Sequence, residues 1–180
     1  MKKTIKTLAA VLCCALAFTA CTKDEPGNPT PETDLTPVAA LMDYSLTMGE
    51  DMLNLCDITI EYYDTDGKVK TEALTKGSWE KRVLAPLPVS LGIRVKAKLK
   101  SGANPSSLES FTAAYGYDYM GYAVNSTGGV VSDVVGRGSS TSMSMKGDKV
   151  EEWLTRHADG LFSFLYNFDA KGKPTRETWE

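Results

Sequence analysis

The sequence predicts a mainly β domain, an antiparallel β-sandwich of about seven or eight strands with one short crossover helix. Three observations carry that prediction. Apolar and polar residues alternate with period two through most of the chain after residue 37, the pattern of strands with one face in a core and one in water. Gly, Pro, Asn and Asp interrupt the alternation at short intervals, as hairpin turns require. Helical spacing is confined to one stretch, Asp148 to His157. Short strands separated by turn signals bury their apolar faces by stacking as two layers.

Taken in order, the chain opens with Met1-Lys2-Lys3-Thr4-Ile5-Lys6, three positive charges and no acid, followed by an uncharged stretch from Thr7 to Ala20. A basic head, a short apolar body and small residues before a cut site describe a secretory signal peptide over residues 1–20. The apolar run falls short of the roughly 20 residues a spanning helix needs. Phe18-Thr19-Ala20-Cys21 resembles the lipobox of bacterial lipoproteins, with Phe18 where that pattern usually carries Leu. The resemblance implies that Cys21 is diacylated and becomes the first residue of the mature chain. Two acyl chains at one site anchor stably, whereas one gives marginal attachment.

Behind the anchor, Thr22-Lys23-Asp24-Glu25 resembles the Lys-and-acid export signal that sends Bacteroidetes lipoproteins to the outer face of the outer membrane. Lys23, Asp24 and Glu25 thus point to outward display; the plainer reading of the same residues is a solvated charge cluster. Residues 21–37 contain Pro26, Pro29, Pro31 and Pro37 among polar residues and describe a semi-stiff tether without the apolar content to fold.

Residues 38–180 suffice for one domain with a substantial core. Three of the chain's 20 basic residues lie in the leader, so 17 bases face 23 acids after processing, a formal charge of −6. Such a surface does not suit nucleic acid as a partner. Cys56 would be the one thiol besides Cys21 in the mature chain, which excludes a disulfide framework. It alternates in phase with Ile58 and Ile60 and is expected to be a small buried hydrophobe.

Strands are expected over 43–48, 55–63, 68–75, 78–83, 89–100, 111–124 and 161–168, and 175–180 is placed to close the sheet. Gly49-Glu50-Asp51 is expected to turn, and Asp64-Thr65-Asp66-Gly67 to close a hairpin. Pro86 and Pro88 interrupt the fourth strand. Gly128 to Lys146, rich in Gly and Ser, is expected to form a weak edge strand or long loop. Asp148 and Glu151 have the spacing of a capping box, ahead of a helix that carries Val150, Trp153, Leu154 and a half-buried His157 on one face and stops near Gly160.

The run Asp57-Ile58-Thr59-Ile60-Glu61-Tyr62-Tyr63-Asp64-Thr65-Asp66-Gly67-Lys68, with Ser78-Trp79 and Leu87-Pro88, resembles a group of small Bacteroidetes surface lipoproteins with β-sandwich, immunoglobulin-like domains. The resemblance spans roughly residues 44–99. It implies fold and location and transfers no active site.

Asp64-Thr65-Asp66-Gly67 matches the start of an EF-hand loop, but the fifth position from Asp64 is Lys68 and the twelfth is Thr75, where ligands and a bidentate Glu belong. One histidine and no Cys pair leave no metal site and call for no cofactor. Tyr115, Tyr117 and Tyr119 share one face of a strand, with Asp118 and Asn125 nearby in sequence. They could stack on sugar rings, but sheets more often use such a row in the core, and Phe111 and Ala113 share its phase. The stretch Gly136-Arg137-Gly138-Ser139-Ser140 is expected to be a loop rather than a phosphate cradle. Glu109, Asp118 and Asp133 could in principle supply a glycosidase carboxylate pair.

The expectation is therefore a non-catalytic cell-surface lipoprotein, held to the membrane by its lipid, that serves as a binding or accessory module for a glycan or protein partner. Two other readings stand beside it, a small polysaccharide hydrolase and a structural or adhesive subunit docking through a strand edge.

Overall fold

The computed structural model describes residues 34–179. The signal peptide, Cys21, Lys23, Asp24 and Glu25 lie outside the described residues. Nine strands are present among those described: β1 (Ala39–Met48), β2 (Cys56–Tyr63), β3 (Val69–Ala73), β4 (Ser78–Pro86), β5 (Val89–Leu99), β6 (Phe111–Val124), β7 (Val135–Met145), β8 (Phe162–Phe168) and β9 (Pro174–Glu177). They form a four-stranded sheet A in the order β4-β1-β6-β7 and a five-stranded sheet B in the order β3-β2-β5-β8-β9. All pairings are antiparallel. The expected antiparallel sandwich is therefore present, with nine strands rather than seven or eight.

Period-two sequence becomes period-two burial. Along β1, Ala40, Met42, Tyr44, Leu46 and Met48 are buried while Asp43, Ser45 and Thr47 face away. On sheet B the facing rows are Cys56, Ile58, Ile60 and Tyr62 of β2 and Val89, Leu91, Ile93 and Val95 of β5. Each fully buried side chain of this size contributes roughly 1.5–3 kcal/mol. Burial pushes the Cys56 thiol up to about 11, so it stays protonated and unreactive at neutral pH.

Three local expectations change. The turn expected at Gly49-Glu50-Asp51 is instead the start of a helix, α1 (Glu50–Leu55). Gly49 donates its N–H to Ala114 O at 2.8 Å, and Met52 is fully buried; a six-residue helix is too short for its period to show in sequence. The second helix, α2 (Val150–Arg156), does bury Val150, Trp153 and Leu154, but no side chain caps it. Gly147 is seated against the backbone of Pro105 and Leu108, and this contact feeds residues 147–149 into a 3-10 turn. Asp148 lies within that turn, one residue early for the capping box. Finally, of the two forms expected for Gly128 to Lys146, the edge strand is the one present: β7 pairs with β6 from Phe111↔Met145 to Gly121↔Val135, and residues 136–140, expected as a loop, lie within it.

Sheets A and B are tied along one margin by Glu72 of β3. Its carboxylate accepts hydrogen bonds from Tyr62 Oη at 2.6 Å, Trp79 Nε1 at 2.8 Å and Lys81 Nζ at 3.2 Å. Trp79 and Lys81 belong to β4 of the other sheet, and the Lys81 ammonium lies 4.8 Å from the centre of the Tyr62 ring. At one pole, Asn125 is 6% exposed and staples the residues that precede β1. Its Nδ2 donates to Asp34 O, while its Oδ1 accepts from Thr127 N, Thr127 Oγ1 and Gly129 N. The turns at 64–68 and 169–173 share this pole, and α1 and α2 sit at the opposite one.

Hydrogen bonds from Tyr62, and next from Trp79, hold the Glu72 carboxyl below the usual carboxylate range. The folded state thus binds this proton less readily than the unfolded chain. The stabilisation is complete above about pH 4.5, the ordinary value for Glu, and drains away as pH falls below it. Glu72→Ala leaves the Tyr62 and Trp79 donors unpaired and should cost about 1–3 kcal/mol. Urea unfolding at pH 7 measures that loss, and the gap to the parent protein should narrow in acid.

Candidate functional site

The tyrosine row sits inside the sandwich. Tyr119 is 4% exposed, and its ring lies on Phe164 of β8 with centroids 3.7 Å apart. Tyr117 stacks on Phe162 at 4.4 Å, and Tyr115 faces the same ring at 6.2 Å. The Tyr119 and Tyr166 hydroxyls meet at 3.1 Å, and burial raises the Tyr119 phenol well above its ordinary value. The three tyrosines therefore form a core aromatic layer, with Tyr115 and Tyr117 half-buried at its rim.

Asp118 is exposed on the other face of β6. Alternation forbids it from joining its sequence neighbours Tyr117 and Tyr119 in one site, so the grouping considered from sequence is divided between core and surface. On the outside of sheet A, Asp118 borders a shallow trough of about 430 Å³ with Ser45, Thr47, Gly116, Gly138 and Ser140. An adjoining hollow of about 490 Å³ adds Asp43, Glu80 and Arg82. The Arg82 guanidinium makes two bonds to Asp43, at 2.6 and 2.9 Å.

The carboxylates singled out for hydrolysis stay apart. Glu109 precedes β6, whose first residue Phe111 is seven positions, about 23 Å at strand rise, from Asp118, and Asp133 lies in the segment before β7. Asp64 and Asp66 are spent on the hairpin. Asp64 accepts from Thr65 N at 2.8 Å, Asp66 from Lys68 N at 3.1 Å, and Gly67 adopts φ +68°. His157 is half-buried, its ring 4.5 Å from that of Trp153 and its Nδ1 2.8 Å from Trp153 O.

The surface feature that sequence reasoning undervalued is the free edge of β7. Among the described residues, β3, β4, β7 and β9 lie at sheet edges. Three carry features that discourage pairing with another chain. β3 is five residues long with Lys70 and Glu72; β4 carries Glu80, Lys81 and Arg82 and ends in Pro86; β9 is four residues long and begins with Pro174. By contrast β7 runs for eleven residues with Arg137 as its one charge and no proline. Gly136 through Ser144 are all exposed, on both faces.

Which backbone groups are free follows from parity. Ala114 and Val124 of β6 turn their carbonyls toward the β1 side, accepting from Gly49 N and Val38 N, while the Ala123 carbonyl accepts from Val131 N on the β7 side. Even-numbered residues of β6 therefore bond to β1 and odd-numbered ones to β7. The β6–β7 register matches odd with odd. Val135, Arg137, Ser139, Thr141, Met143 and Met145 thus spend their N–H and C=O on β6. Gly136, Gly138, Ser140, Ser142 and Ser144 point theirs outward, a row of donors and acceptors that no strand among the described residues pairs with, carried by Gly and Ser alone.

Proline substitution tests this parity. Ser140→Pro removes an outward N–H and should leave the dilute protein's melting temperature within a few degrees of the parent. Thr141→Pro removes a ladder bond to Tyr115 and should cost about 1–3 kcal/mol, read as a clearly lower thermal midpoint. No known protein family, no curated protein and no solved structure matches the chain.

Proposed function

We propose that the chain is a lipid-anchored lipoprotein displayed on the outside of the outer membrane, and that its domain is a non-catalytic binding module that takes a protein partner by strand addition along β7. The observation that carries the binding mode is the contrast among the edges: three are short, multiply charged or proline-bearing, and the longest has one charge, Arg137, and no proline. An extended partner segment would complete the hydrogen bonds that Gly136, Gly138, Ser140, Ser142 and Ser144 leave open.

Support for the anchor comes from the basic and apolar leader, from Cys21 after Phe18-Thr19-Ala20, and from Lys23, Asp24 and Glu25 behind it. The staple between Asn125 and Asp34 holds the C-terminal end of the tether at one pole, which leaves the long margin of sheet A lateral to the attachment point. A glycan partner is less well supported, because Tyr119 is buried and Tyr115 and Tyr117 lie against Phe162. Hydrolysis draws no support from Glu109, Asp118 and Asp133, which the fold keeps apart.

Two measurements test the proposal. Cys21→Ser should move the protein from the membrane fraction to the soluble fraction. A photoreactive residue replacing Gly138 should form a protein adduct on intact cells, and one replacing Asp57, exposed on the far face of sheet B, should not. Failure to form adducts at both Gly138 and Ser142 sinks the strand-addition mode.

A further inference from the structure

We propose that the strand added to β7 is β7 of a second copy of this chain, paired antiparallel about a two-fold axis through Ser140. This rests on the strand-addition reading and names its partner. The argument is one of register. Pairing Val135–Met145 with itself over its full length sets Ser140 opposite its own mate, Gly138 opposite Ser142 and Gly136 opposite Ser144. These are the residues whose backbone groups point away from β6. Each apposed pair can exchange both of its hydrogen bonds, and no open group within the row is left over. An axis falling between two residues would instead set these groups against residues already bonded to β6. An axis moved to Ser139 or Thr141 would leave one end of the row unpaired.

The side chains agree with the same axis. On the outer face the seam contains Gly and Ser alone, so nothing bulky opposes closure. On the inner face Val135 meets Met145, Ser139 meets Thr141, and Arg137 meets Met143. Apolar residues pair with apolar ones, hydroxyl with hydroxyl, and the single charge faces a flexible thioether side chain instead of its own copy. The two Arg137 residues stand six positions apart along the seam, about 20 Å, which exceeds the screening length of roughly 8 Å at physiological salt. Met143, 42% exposed in the single chain, gains a neighbour.

A foreign strand would find little on β7 to read. Beyond Arg137 the edge offers no charge, and its outward row has no side chain larger than Ser. Specificity must then come from register, and register is what self-pairing supplies. A two-fold contact is also closed: it uses up the edge on both copies and cannot propagate into a filament. That resolves how a long unguarded edge avoids open-ended aggregation.

The pairing fixes an orientation. Ser140 is level with Gly116, and Ala39 with Val124, so the start of β1 lies eight positions, about 26 Å, from the axis. The residues that receive the tether therefore leave from opposite ends of the pair, roughly 50 Å apart along the strands. Anchored copies joined this way reach toward one another from facing surfaces.

The test uses the full mature lipoprotein in detergent micelles. With Cys21 lipidated and Cys56 buried, Ser140→Cys introduces the reactive thiol. Mild oxidation should give a disulfide dimer containing a 140–140 linked peptide, because a paired strand holds the Cα atoms about 5.5 Å apart. Lys171→Cys, on a polar turn away from the edge, should not cross-link. Light scattering should give a protein mass of two chains for the parent and one for Ser140→Pro, with circular dichroism unchanged. A parent mass of one chain at every concentration, together with no preference of position 140 over 171, overturns self-pairing. If Gly138 photo-adducts on cells then carry a different protein, strand addition stands without self-pairing; if there are no adducts either, both fall.

Discussion

The stacking of Tyr119 on Phe164, with centroids 3.7 Å apart, is the contact on which the rest of sheet A depends. It joins β6 to β8 across the sandwich and fixes the phase of β6. Once Tyr119 points inward, every odd residue from Phe111 to Ala123 does as well, because a slip of one position would exchange the two faces of the whole strand. Asp118 and Gly116 must then face outward beside Ser45 and Thr47. The same register assigns the backbone groups: β6 gives its odd residues to β7 and its even ones to β1. The openness of Gly136, Gly138, Ser140, Ser142 and Ser144 is thus a consequence of where one tyrosine ring is buried.

Much of this was legible in sequence where alternation was strong. Val89 to Leu99 alternates apolar and polar residues over eleven positions, and β5 occupies that span. Phe111 to Val124 coincides with β6. Alternation puts the tyrosines on one face with Phe111 and Ala113, and that face is the core. Their association with Asp118 was a sequence-neighbour grouping that strand parity divides. β7 was the least legible element, since Gly and Ser have low strand propensity and supply no apolar face. It is formed by pairing along β6, a tertiary cause that a local window does not contain. The Glu72 cluster has a similar cause. Glu72 and Lys81 look like ordinary polar strand residues until the sheets stack, although Trp79 and Lys81 already share the phase of buried Val83 and Ala85.

The two margins of the sandwich are built on opposite terms. At the β3–β4 margin a carboxylate reaches across the layers to an indole, a phenol and an ammonium, and charge-assisted hydrogen bonds close the gap. Among the described residues the β7 margin has no such bridge. β9 pairs with β8 from Leu165 to Phe168 and stops, so sheet B does not extend beneath Ser139, Thr141 and Met143. That leaves Tyr115, Tyr117 and Phe162 half-buried at the rim.

An edge left open in this way must be either a hazard or an interface, and the other three edges help to decide which. Where β3, β4 and β9 end their sheets, length, charge or proline discourages another strand. A chain whose other edges are guarded and whose longest edge carries only Arg137 has a structural asymmetry that stability alone does not require, since further Lys or Glu at exposed β7 positions would cost little. Position supplies the remaining step. The Asn125 staple holds Asp34 at one pole, while β7 runs along the side from one pole toward the other. On the proposed reading, an anchor joined at that pole and a strand along the flank with a single charge and no proline would leave the edge accessible however closely the pole approached a membrane. Capture of another strand would need that arrangement, whereas stability alone does not call for it.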